Sequence, residues 1–402
     1  MKNLFKCLMI CSLLALSLLY LTGCSEDDPG PQLTGDSKTY ELGPVSNPAI
    51  SGSVTFAKRD DNGVLITIQL TGTQSGGTHP AHIHANTAAE SGGIVLDLMD
   101  INGANGKSET VVKALNDDTP VTYDDLLSFD GYVNVHVSAS NLGMLVAQGD
   151  IGQNELTGDK EEYMLGPVSN PNISGTATFA KRTNGETLVT VSLTGTTAGE
   201  SHPSHIHANS AAQGGGIVID LTNIDGTTGK SRTNVSKLNS GTAITYDDLL
   251  SFDGYVNVHV SASDLGTLVA QGDIGQNELT GVTKVYPLNE VGGSGVSGTA
   301  TFAKRKNSKA LITLSLQGTT AGGDHPAHIH ANNAATGGGI VLNLKNVNGA
   351  TGKSATSANA FNSTTATTYD ELVAYNGYVN VHLSPTVLGT FIAQGNIGSN
   401  AP

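Results

Sequence analysis

Apolar and polar residues alternate along short stretches of this chain. In TLVTVSLTG (187–195), Val189, Val191 and Leu193 interleave with Leu188, Thr190, Ser192 and Thr194. A period of two is the signature of a strand with unlike faces. The preceding run, SGTATFAKR (174–182), is separated from it by Thr183-Asn184-Gly185-Glu186. Asn-Gly between two strand patterns predicts a hairpin. GGGIVIDL (214–221), YVNVHV (255–260) and GTLVAQGDI (266–274) add further short strands. TYDDLL reads as one helical turn, with Thr122 or Thr245 as N-cap and Asp124, Asp125, Asp247 and Asp248 as first-turn carboxylates. Short strands at this spacing predict an all-β protein of Greek-key-type β-sandwiches.

The pattern occurs three times. His79, His202 and His325 mark a period of 123 residues, and TYDDLLSFDGYVNVHVSAS at 122–140 recurs unchanged at 245–263. A diverged relative, TYDELVAYNGYVNVHLSPT, begins at 368, and GQNELTG stands at 152–158 and 275–281, where one copy hands over to the next. These repeats place three domains at 36–155, 159–278 and 282–399. About 120 residues is ample for a single domain and far longer than a solenoid repeat. The expectation is three beads, each with its own core, joined by short linkers.

The first 24 residues have a different character. Lys2 and Lys6 precede the apolar run Cys7 to Leu21, which is too short to span a bilayer comfortably. The run reads as an export signal. It ends in Leu21-Thr22-Gly23-Cys24, which resembles a bacterial lipobox. That resemblance implies a lipid on Cys24 and an anchor in the membrane of the cell envelope. Residues 25–35, opening Ser-Glu-Asp-Asp-Pro-Gly-Pro, read as a solvated tether. By analogy with other lipoproteins, the acidic start favours the outer membrane and its outer surface. All three cysteines, Cys7, Cys11 and Cys24, lie in this segment, so the mature body has no thiol for disulfides, catalysis or metal.

Composition narrows the function classes. The formal charge is −15, opposite in sign to what a nucleic-acid-binding surface needs. No Gly-x-Ser-x-Gly or comparable nucleophile signature is present. Asp100-Ile-Asn102-Gly-Ala-Asn105-Gly is similar to a calcium loop but misses the EF-hand spacing, and its counterparts begin with Asn223 and Asn346, so it reads as a turn. Ala-Lys-Arg after Phe56, Phe179 and Phe302 reads as a solvated strand end.

The histidines remain. All 12 fall into one recurring constellation: His79, His82, His84 and His136; His202, His205, His207 and His259; His325, His328, His330 and His382. Alternation puts His82 and His84 on one strand face with Ile83 on the other. In Tyr132-Val133-Asn134-Val135-His136-Val137 the valines take the core face, leaving Tyr132, Asn134 and His136 opposite. If the two strands are neighbours, three imidazoles converge, and His79, held by Pro80, is positioned to be a fourth. Several imidazoles without thiolate or carboxylate suit copper or zinc. The alternative is a hydrogen-bonded histidine network of purely structural use.

HIHAN with GGIVLDL (82–98) and GYVNVHV (131–137) resemble the CHRD domain, named after chordin and found also in bacterial secreted proteins. The resemblance covers each copy almost end to end. It implies a β-sandwich with no established catalytic activity, and an extracellular protein partner. The family's closing strand usually reads like Gly-Glu-Ile-Arg-Gly-Gln; here Gly143 to Asp150 is two residues longer and has no Arg. The same pieces are distantly similar to copper–zinc superoxide dismutase, including Asp264-Leu265-Gly266. However, no His lies between His84 and His136 to match its bridging and zinc ligands, and no Arg follows the last His at the distance that guides superoxide.

Overall fold

Every second residue of Val64–Thr71 is buried: Val64, Ile66, Ile68 and Leu70 point inward and the residues between them do not. The alternation seen in the sequence thus separates inside from outside. The computed structural model describes residues 30–401, so the export signal (1–24), Cys24 and the first part of the tether lie outside the described residues.

Eight strands build the first unit: β1 (Leu33–Pro44), β2 (Ser51–Arg59), β3 (Val64–Thr71), β4 (Thr78–Ala85), β5 (Ile94–Asn102), β6 (Lys107–Val112), β7 (Asp130–Ser138) and β8 (Asn141–Gly152). One short helix, α1 (Tyr123–Leu127), stands between β6 and β7. Hydrogen-bonded order is β1-β2-β3-β6-β5-β4-β7-β8, and β8 closes onto β1. The next two units repeat this order, so the all-β, three-unit architecture holds.

Each unit is a closed barrel rather than the expected sandwich, and the difference lies at two thin seams. One is a single β5–β6 pair, Asn102 with Lys107. The other is β1–β8, a ladder of Gly43 with Gln148 and Pro44 with Ala147, continued by Val45 N–H donating to Val146 O and Ser46 N–H to Leu145 O. Between the seams lie two four-stranded faces around one core. In the first barrel Phe56, Ile66, Ile83, Val133 and Val135 are almost fully buried, and Tyr40 meets Phe56 edge-on at 5.5 Å. Each such aliphatic side chain contributes about 1.5–3 kcal/mol by leaving water. Separate cores fill the second and third barrels.

Thr122 caps α1 as expected, in a reciprocal box with Asp125; Thr245 with Asp248 and Thr368 with Glu371 repeat it. The Asp100–Gly106 segment is a hairpin turn, closed by Gly106 N–H donating to Asn102 O at 2.7 Å.

Three boundaries differ from the expected ones. The strands begin at Leu33, Leu156 and Leu279, so the end of the tether and the expected linkers are already in a ladder. The connection between ladders shortens to residues 153–155 and 276–278. The Ala-Lys-Arg segments also depart from a solvated strand end. Arg182 and Arg305 are fully buried and pair across the barrel boundaries with Asp150 at 2.8 Å and Asp273 at 2.6 Å. Arg59 keeps partial exposure beside Asp61 at 3.2 Å. Backbone bonds also pin the connection to the second barrel: Thr183 N–H donates to Glu155 O and Asn184 N–H to Gln153 O. The units are docked end to end.

Candidate metal centre

β4 and β7 are hydrogen-bonded neighbours, with His82 opposite Asn134 and His84 opposite Tyr132. Ala81, Ile83, Val133 and Val135 turn into the core. The histidines therefore point outward from the barrel wall, as the alternation predicts. The ladder between β7 and β8 is irregular on both sides of His136, which pairs with Leu145. Such bulges bend a strand and re-aim a side chain, and here the His136 ring is carried toward His82.

Three rings meet on this surface. The potential ligand nitrogens of His82, His84 and His136 lie within 4.8 Å of one another, as do those of His205, His207 and His259, and of His328, His330 and His382. His82 Nδ1 is 3.0 Å from His136 Nε2; the later copies give 3.1 and 2.9 Å. Bonds of about 2.0–2.1 Å to a tetrahedral zinc would put neighbouring nitrogens about 3.3 Å apart. The His82–His136 pair is already near that spacing, and His84 completes the trio within 4.8 Å.

Backbone carbonyls select the tautomers. His84 Nδ1–H donates to Gly92 O at 2.9 Å and His136 Nδ1–H to Leu142 O at 2.7 Å. Each Nε2 is thereby left as a lone-pair donor. A carbonyl on the far nitrogen of a ligating imidazole is the usual support of a metal site. The Gly92 turn is itself held: its N–H donates to Tyr132 Oη at 3.1 Å, and the Tyr132 ring stacks on His84 at 4.9 Å. Asn86, next to the strand end, adopts φ of 67°, a left-handed conformation that Asn tolerates. Asn209 and Asn332 do the same, which explains the last residue of the HIHAN motif.

His84 and His136 are buried, and His82 is the more open member of the trio. Burial, followed by the nearby His136, lowers the affinity of His82 for a proton, against the opposing pull of Asp97. Burial also lowers His136. In the third barrel burial and the neighbouring His382 and His330 push His328 down to about 4. These rings are neutral near pH 7, the form that ligates. His82 Nε2 stands 3.7 Å from Asp97 Oδ1, and His205 stands 3.8 Å from Asp220; Asn343 occupies the matching place in the third barrel.

His79 is set apart from the trio. Its Nδ1–H donates to the backbone oxygen of His136 at 3.1 Å, and its Nε2 is buried beside Gly77 without a hydrogen-bond partner. His202 and His325 make the same contact to His259 and His382. The fourth histidine thus props the strand that carries the third.

The CHRD domain family matches the chain three times, over residues 32–146, 153–269 and 276–385. The chain belongs to the CHRD family. No curated protein and no solved structure matches it.

Each CHRD barrel therefore carries one histidine trio on its wall. Several supporting groups carried no signal of their own in the sequence. The carbonyls of Gly92 and Leu142 are backbone atoms. Asn134 Nδ2 approaches His84 Nε2 at 3.4 Å and accepts through Oδ1 from Gln148 at 2.8 Å. The repetition of Asn134 and Gln148 at Asn257 and Gln271, and at Asn380 and Gln394, was the available hint.

Proposed function

We propose that this is an exported, lipid-anchored CHRD protein whose barrels each bind one transition-metal ion, copper or zinc. The ligands would be Nε2 of His84 and His136 with Nδ1 of His82, and their equivalents His205, His207 and His259, and His328, His330 and His382. Carrying the proposal is one observation: the far nitrogens of His84 and His136 are tied to backbone carbonyls, so their Nε2 lone pairs converge beside His82. Three imidazoles suit copper or zinc over calcium or magnesium. The more open side of His82 provides the approach. The ion would supply a positive centre in the barrel wall; binding rather than turnover is the proposed role. Three sites on one anchored chain would present metal at high local concentration at the outer membrane.

Expressed without an affinity histidine tag, the mature chain should take up about three equivalents of Cu²⁺ or Zn²⁺. His136→Ala should remove one equivalent and leave two. No uptake at micromolar metal would overturn the proposal. Cys24→Ser should shift the protein from the membrane fraction to the soluble one.

A second reading has a specific observation behind it. The 3.0 Å contact between His82 and His136 is also a good hydrogen bond without an ion. On that reading the histidines are structural, and the barrels serve an extracellular protein partner. Wild-type thermal stability unaffected by either metal would favour it.

A further inference from the structure

The turn that fixes His84 is held by residues on both sides of a barrel boundary. It spans Asn86 to Gly93, and its Gly92 O accepts from His84 Nδ1–H. From within the first barrel, Asp150 Oδ1 accepts from Ala88 N–H at 2.7 Å. The other oxygen, Oδ2, accepts from Arg182 Nη1 at 2.8 Å. Arg182 belongs to the second barrel and is fully buried. The same Nη1 reaches Asn154 O, and Asn154 Nδ2 donates to Asn86 O at 3.1 Å. Arg182 Nε also donates to Asn234 Oδ1, whose amide reaches Glu90 in the turn at 3.2 Å. One buried ion pair thus binds the next barrel with one arm and the His84 turn with the other.

The second boundary repeats the ion pair and its hold on the turn, but not the arm to the Asn234 position, where Ser357 stands and Arg305 Nε finds no partner among the described residues. Asp273 Oδ1 accepts from Ala211 N–H at 2.8 Å and Oδ2 from Arg305 Nη1 at 2.6 Å. The third barrel breaks the pattern. Asn396 stands in the aspartate position; its Oδ1 still accepts from Ala334 N–H at 2.8 Å, and among the described residues no arginine meets it. A neutral amide can hold the turn alone. A carboxylate as enclosed as Asp150 needs its cation, because an uncompensated buried charge is strongly destabilising; beside Arg182 at 2.8 Å, only Arg232 Nη2, at 4.0 Å and half-exposed, also faces it.

We propose that docking of each following barrel organises the histidine cluster of the barrel before it. Arg182 and Asp150 are positioning residues for His82, His84 and His136. Arg305 and Asp273 serve His205, His207 and His259. The His328, His330 and His382 cluster stands free of any such control. The inference rests on the metal reading above, with an imidazole-seeking divalent cation as ligand.

The test uses the mature full-length chain with His259→Ala and His382→Ala, so that Cu²⁺ reports the first site alone. Arg182→Met should weaken Cu²⁺ binding about tenfold, as loss of a supporting group does, and shift the visible copper band. Arg305→Met in the same background should change neither. Asp150→Asn combined with Arg182→Met copies the third barrel and should restore most of the affinity. Unchanged binding in Arg182→Met, or an equal loss in Arg305→Met, would overturn the proposal. Should the parent chain bind no copper, the metal reading fails by itself, and amide exchange decides the coupling. Arg182→Met should then speed exchange at 86–92 but not at 332–338; equal protection at 86–92 in both proteins would refute it. Melting curves of each variant separate misfolding from either outcome.

Discussion

Gly92 shows how much can depend on a single small residue. A Cβ added there would lie 2.0 Å from Ala85 O, a collision with backbone that no rotamer relieves. Gly92→Ala must move the turn, and with it the carbonyl that orients His84. It should destabilise the first barrel by about 1–3 kcal/mol and weaken the first metal site, leaving the other two intact. Denaturant unfolding and Cu²⁺ stoichiometry would measure both effects. The histidines also predict a pH response of the metal-free protein. His328 lies at about 4 in the folded barrel against its ordinary value of 6.5. Unfolding therefore takes up a proton at intermediate pH. The contribution of the neutral ring is complete above 6.5 and is lost progressively as pH falls toward 4. Melting of the chelated protein should drop between pH 7.5 and 5.5, above the carboxylate range, and His328→Phe should flatten part of that drop. An identical slope in the variant would rule the ring out as the cause.

At the scale of strands and helices, much was legible because the signal is local. Period-two alternation located the strands, and it assigned His82, His84 and His136 to the face opposite Ile83, Val133 and Val135. The cap was equally local: Thr245 Oγ1 accepts from Asp248 N–H, and Asp248 Oδ2 accepts from Thr245 N–H. Thr245→Ala should cost the second barrel about 1 kcal/mol, whereas Thr245→Ser should cost much less. Amide exchange over 246–251 would resolve the two. Barrel closure was hidden because it depends on the meeting of β1 and β8, which lie far apart in the sequence, and alternation alone suits a sandwich equally well. The bulges around His136 were hidden for the same reason, since a bulge is a relation between two strands. His79 shows the limit of spacing arguments. Its position beside Pro80 suited a ligand, yet its ring is spent on the backbone of His136.

Across the whole molecule, the joints change what a repeat means. Separate cores suit independent beads, but each boundary buries an arginine of one barrel against an aspartate of the previous one. In the sequence, Ala-Lys-Arg resembles any charged strand end. The overlooked signal was a pairing of differences: Asp150 and Asp273 precede a barrel carrying Arg182 or Arg305, while Asn396 breaks the series. Such a pair is costly to break by halves. Removing one partner of a buried pair costs about 3–5 kcal/mol, and replacing both with apolar residues is often close to neutral. Asp273→Ala should therefore undock the third barrel from the second, broadening the solution scattering profile and exposing residues 276–278 to protease. Asp273→Leu with Arg305→Met should recover much of the compact form. Equal damage in the single and double variants would mean that the ion pair itself, rather than an unpaired buried charge, sets the joint.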